Sequence, residues 1–208
     1  AAGLSLKWFR DNLAEFYKEE AEKQGVDSYD LINQDVENVP IGSRRLLYLP
    51  YLMGERTPHL NPNCRGVFFG LSAIHTKADM LRAVMEGVSY SLSDCLDILR
   101  EMQVDVSEMM ACGGGGKSKI WRQMLADMYG CEVKTIKAQE GPALGVAILA
   151  GVGAGIFNDV QSACRQFIAQ ETYCQPEPAS KAYYEKGHAL YKKLYVQLKD
   201  CYEELAQL

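Results

Sequence analysis

The chain has 208 residues with 22 Lys+Arg against 27 Asp+Glu, a formal net charge of −5, and is 48% hydrophobic and 10% aromatic. That apolar content excludes a disordered tail, and the length suffices for one large domain whose core needs neither disulfide nor metal. A pI near 5.3 with no dense Lys/Arg cluster argues against a dedicated binder of nucleic acid or of an anionic membrane, which leaves small ligands.

Apolar side chains at Leu4, Leu6, Trp8, Phe9, Leu13, Phe16 and Tyr17 recur at helical spacing up to Ala21, and Gly25 follows as a stop signal, so a single first helix is predicted. From Asp27 to Pro40 the chain is polar and acidic, and no element is assigned. Leu46 to Leu52, ended by Gly54, reads as a short buried strand, and Val67 to Phe69 between two glycines as a second. Thr76 and Asp79 make a capping-box-like start. Leu81, Met85, Val88, Leu92, Leu96, Leu99 and Met102 then keep one apolar face, which predicts a helix of roughly 40 Å that forms the spine of the domain.

Glu108 to Cys112 reads as a strand running into the glycines at 113–116. Ser118 can cap a helix carrying Trp121, Met124, Leu125 and Met128, closed by Gly130, and Cys131 to Ile136 is the next strand. Pro142 opens an uncharged run to Phe157, too short for a membrane span and read as a buried helix. Tyr183, Tyr184, Leu190, Tyr191, Leu194, Leu198, Tyr202 and Leu205 predict a long final helix whose tyrosines pack inward. The alternation of strands and helices makes the class α/β.

The seven cysteines lack a C-x-x-C pair and read as buried free thiols of a reducing cytoplasm, in line with an N-terminus that resembles no signal peptide. The histidines at 59, 75 and 188 are scattered, so no metal ligand set is assigned. Four glycines between a strand and a helix carry the strongest chemical signal, because bare backbone lets a ligand approach closely. Ala111 to Ser118 nearly matches a phosphate-binding P-loop but has Ala111 where glycine is required, and no apolar strand ends in the aspartate that such proteins turn toward Mg²⁺. A purely structural turn is the non-enzymatic alternative.

Three segments together resemble the C-terminal lobe of the FGGY carbohydrate kinases. They are Tyr48 to His59 continuing through Arg65 to Leu71, Gly113 to Asp127, and Gly141 to Ala147, in family order with the long helix between the first two. The Gly54-Glu-Arg-Thr-Pro-His segment tips the resemblance toward members acting on D-xylulose, with ribulose, gluconate and glycerol as alternative substrates. The resemblance implies an actin-like ATPase (ribonuclease H-like) lobe with an incomplete sheet flanked by helices, spanning residues 1–208. It further implies ATP or ADP with Mg²⁺ in the full enzyme, a ketopentose phosphorylated on its terminal hydroxyl, and a separate sugar-binding lobe, without which this piece is inactive. In the family the catalytic base is an aspartate preceded by glycine; no aspartate here follows a glycine, so no catalytic residue is assigned. Gly114, Gly115 and Gly116 match the adenosine-motif turn, and Lys119 stands where many relatives carry an asparagine that bonds adenine. Gly3 and Lys7 match a second nucleotide segment. The missing strands imply an unpaired sheet edge through which a homodimer can form.

Overall fold

The computed structural model describes residues 2–136 and 141–208. Three helices come first: α1 (Ala2–Leu13), α2 (Phe16–Gln24) and α3 (Ser28–Glu37). The single helix expected up to Ala21 is divided at Ala14, which is completely buried, and the break lets both Phe9 and Tyr17 enter the core. Gly25 closes α2 with a left-handed φ of 68°. The polar stretch left unassigned contains α3: Asp27 caps it by accepting from the Tyr29 N–H at 2.9 Å, and Ile32 and Val36, one turn apart, are fully buried.

After a left-handed turn at residues 42–45, β1 (Leu47–Leu49) pairs antiparallel with β2 (Val67–Phe69), Tyr48 opposite Phe68. β1 is shorter than its apolar run because Pro50 has no N–H to give to a ladder. The helix α4 (Lys77–Glu101) starts at the expected capping box, with the Thr76 hydroxyl accepting from the Asp79 N–H at 3.3 Å and Asp79 accepting from the Thr76 N–H at 2.8 Å. It is the spine. Leu81, Val84 and Met85 join Phe9, Ile32 and Tyr48 in one apolar cluster, Tyr90 joins Tyr184 and Tyr191 in a second, and Leu96 joins Tyr129 and Val133 in a third.

Burial pushes the Asp79 carboxyl up, but the bonds from Thr76 and from Arg44 outweigh it and hold the group below 3.8. Its contribution to stability is therefore complete above about pH 4 and is lost as pH falls through the depressed value. Thr76→Ala is expected to cost about 1 kcal/mol at neutral pH. In urea titrations the stability gap between the native chain and Asp79→Asn should shrink as pH falls below about 4, whereas a gap independent of pH would contradict this role.

The second half is built on β3 (Glu108–Met110), α5 (Gly113–Lys117), α6 (Lys119–Tyr129) and β4 (Glu132–Ile136). β3 and β4 are parallel, and β5 (Gln170–Cys174) adds antiparallel to the other side of β4. The order β3-β4-β5 leaves one side of β3 and one of β5 without a partner strand among the described residues. β5 and the short helix α8 (Val160–Phe167) have no counterpart in the sequence reading. The uncharged run does form α7 (Gly141–Gly153), but it is not buried: Val146 is 67% and Leu149 60% exposed. Within the described residues α7 packs against α8 and leaves most of its apolar surface open. The last helix, α9 (Pro178–Leu205), buries Tyr184, Tyr191 and Tyr202 as expected and Tyr195 besides, whereas Tyr183 is 43% exposed. The cysteines are all free, but only Cys64, Cys131 and Cys174 are buried, while Cys112 and Cys201 are exposed. No described helix is long and apolar enough to cross a membrane.

Candidate functional site

The glycine run between β3 and α6 is not an open loop. The Ala111 N–H extends the β3–β4 pairing by donating to the Lys134 carbonyl at 2.8 Å, and Cys112 continues extended. Gly113 then turns the chain with φ of 75°, and the remaining glycines wind into the single turn of α5. Glycine is a poor helix former, so four of them in one turn answer to space and not to propensity. A Cβ at Gly113 or Gly114 would meet nothing within 4 Å, whereas at Gly115 it would lie 3.4 Å from the Trp121 ring and at Gly116 2.6 Å from the Ala111 carbonyl oxygen. The first two glycines thus present bare backbone to open space, and the last two let α5 lie tightly on its supports.

Those supports are held by hydrogen bonds. Arg122 donates to the carbonyls of Gly116 at 2.6 Å and Lys117 at 3.1 Å, satisfying acceptors that the short turn leaves unpaired. Ser118 caps α6 as expected, accepting from the Trp121 N–H at 3.2 Å, and its hydroxyl donates to Asn33 Oδ1 on α3 at 2.8 Å. The Trp121 indole N–H donates to Ser89 of α4 at 2.9 Å, which locks the ring beneath Gly115.

Above this floor lies a cavity of about 680 Å³, within the range that holds a nucleoside. α1 contributes Gly3 and Leu6, and the first turns of α3 contribute Asp27, Tyr29, Asp30 and Asn33. The apolar wall comes from Leu92, Met109, Trp121, Leu125 and Tyr129, and burial keeps the Tyr129 phenol well above its ordinary range, so it stays neutral. Lys117 is the one cation among the described lining residues. Asp27 and Asp30 put negative charge at the α3 side, which disfavours an anionic group there and leaves that side for neutral parts of a ligand.

Of the residues singled out from the sequence, the structure brings Gly3, Gly114, Gly115 and Gly116 to one cavity. Lys119 is exposed at the start of α6, outside the lining. Lys7 is also outside it: its ammonium pairs with Asp11 at 2.5 Å, and together with Arg10 and Lys18 it holds the Asp11 carboxyl far below the usual carboxylate range. The α3 residues were not anticipated; the signal for them was the Asp27-Ser28 start followed by Ile32 and Val36 at helical spacing. Asp94, Asp97 and His188 come together between α4 and α9. They form a polar latch, with a His188 ring nitrogen hydrogen-bonded to Asp94 at 2.6 Å and the Lys192 ammonium paired with Asp97 at 3.1 Å.

Over 98% of its length the chain is similar to ligand-bound xylulose kinase from Lactobacillus acidophilus, with a TM-score of 0.84 and 30% identity, covering 39% of that chain. The fold is that of a lobe of the actin-like ATPases, in the form that sugar kinases use. By sequence the chain is 38% identical over 99% of its length to xylulose kinase of Staphylococcus epidermidis, covering 39% of that protein, and 36% identical over 87% of its length to gluconokinase of Bacillus subtilis, covering 36% of it. Residues 1–154 match the model of the FGGY family of carbohydrate kinases, C-terminal domain, and the chain belongs to that family. It spans about 39% of the length of the xylulose kinases it resembles.

Proposed function

We propose that this chain forms the nucleotide-holding part of a cytoplasmic, ATP-dependent sugar kinase that phosphorylates D-xylulose on its terminal hydroxyl. The observation that carries the nucleotide half of this reading is the cavity floored by Gly113–Lys117, with an apolar wall for a purine and polar groups on α3 for its edge. The sugar is inferred from relatives named xylulose kinases; gluconate is the second reading, since a gluconokinase is nearly as similar.

ATP bound here supplies the γ-phosphoryl group. The chain's own residues bind and orient it: Gly3 and Gly114 to Gly116 let base and ribose lie against backbone, and Trp121 and Leu125 exclude water from the base. Lys117 offers positive charge toward the phosphates. No residue of this cavity is assigned to Mg²⁺, which in the full enzyme would be held chiefly by the nucleotide's phosphate oxygens and by water, with one or two carboxylates. The catalytic carboxylate is not assigned to any residue of this chain.

A ligand that binds only the folded state raises stability, by about 2.7 kcal/mol at a hundredfold excess over Kd. ADP at that excess should therefore raise Tm by about 5–10 °C in a thermal-shift measurement. An unchanged Tm with ADP up to millimolar concentration would remove the nucleotide reading.

A further inference from the structure

Resting on the nucleotide reading, the geometry points to Asp30 and Asn33 of α3 as the pair that selects adenine over guanine. Both line the cavity, and they stand three residues apart, neighbours on one face of the helix. Asn33 is half-buried, and its Oδ1 is committed to the Ser118 hydroxyl at 2.8 Å. Ser118 has its own acceptor role at the start of α6, where it takes the Trp121 N–H, so its proton goes to Asn33. With its oxygen engaged, the carboxamide has its Nδ2 hydrogens left to offer a ligand. Asp30, ionised, can only accept.

A donor beside an acceptor is the complement of adenine, whose 6-amino group donates and whose adjacent ring nitrogens accept. Guanine reverses the pattern at that position: its O6 would face the Asp30 carboxylate, two acceptors with no proton between them, and on the Watson–Crick edge its N1–H would face the Asn33 donor. The first turn of α3 is rigid enough to enforce the difference. Asp27 caps it, the Arg10 guanidinium lies 4.5 Å from the Tyr29 ring centroid, and the same guanidinium donates to Ser28 at 3.2 Å, tying the turn to α1. This pair fills the role that Lys119, outside the cavity, leaves open.

Isothermal calorimetry with ADP and GDP on the native chain and on Asn33→Asp, Asn33→Ala and Asp30→Asn tests the inference. The native chain should bind ADP at least about tenfold more tightly than GDP, since a mismatched polar edge forfeits about one hydrogen bond. Asn33→Ala should weaken ADP by about the same factor, and Asp30→Asn, whose amide can turn to donate to O6, should bring the ADP-to-GDP ratio close to one. Asn33→Asp, nearly isosteric and still able to accept from Ser118, should also lower the ratio, and it keeps the test open should the alanine variant unfold. A native chain that binds both nucleotides equally, or variants that keep its ratio, overturns the inference and leaves the nucleotide reading standing. A native chain that binds neither overturns both.

Discussion

Glu86→Ala is expected to be the most damaging single substitution in this chain, costing about 3–5 kcal/mol and lowering Tm by about 10 °C. Glu86 is 2% exposed in the middle of α4, and its carboxylate accepts from Arg82 at 2.9 Å, the Gly42 N–H at 2.9 Å, the Ser43 hydroxyl at 2.8 Å and the Tyr184 hydroxyl at 3.1 Å. Arg82, equally buried, spends another nitrogen on the carbonyls of Val36 and Val39 and so fastens the end of α3. Removing the carboxylate leaves a guanidinium in the core without a counter-charge and strips the Gly42 N–H and the Ser43 and Tyr184 hydroxyls of this acceptor.

The same carboxylate holds an unusual turn. Ser43, Arg44 and Arg45 have φ of 47°, 54° and 73°, a left-handed conformation that residues with a Cβ adopt only at a cost of about 1–2 kcal/mol each. Its loss should therefore be felt at β1, which follows directly. A fall in Tm of less than about 3 °C in Glu86→Ala would contradict this role. Replacing both partners by apolar residues, as in Arg82→Met with Glu86→Leu, should recover a substantial part of the loss, because the stranded charge disappears along with its partner.

The second large effect is expected at Gly116. A side chain there would press on the Ala111 carbonyl oxygen at 2.6 Å and its carbon at 2.9 Å, backbone atoms fixed by the bond from Ala111 to Lys134. Gly116→Val must therefore push α5 off the end of β3, at a cost of about 1–3 kcal/mol, and should abolish ADP binding in calorimetry. Gly114→Ala is the informative contrast, because its Cβ meets nothing within 4 Å. It should stabilise the chain by up to about 1 kcal/mol through helix propensity, yet weaken ADP by placing a methyl group on the floor of the cavity. Equal binding by the native chain and Gly116→Val would mean that the glycine turn is structural only.

These effects differ in how visible they are in the sequence. The capping box at Thr76, the apolar face of α4, the Ser118 cap and the Gly130 stop are local patterns, and each forms where its residues predict it. The glycine floor was legible for the same reason, and the likeness to FGGY kinases extended it to Gly3. α3 was not legible because its few apolar residues are set among acids, and only contact with α4 through Arg82 and the core makes that thin stripe sufficient. α7 failed in the opposite sense: an uncharged run looks buried, but burial depends on what packs against it, and here α8 covers it only in part. The polar half of the cavity suffered most, since Asp30, Asn33 and Ser118 meet across 85 residues of chain separating the last two, and nothing in their local spacing announces it.

The two tryptophans give the most direct test of the claim that a purine nucleoside rests on this floor, because Trp121 lies under Gly115 within the cavity lining and Trp8 does not line it. In a Trp8→Phe chain all indole emission comes from Trp121. Titration with ADP should change that emission saturably, and inorganic phosphate should leave it unmoved. Emission that stays constant through the ADP titration, or that follows phosphate equally well, would contradict the account.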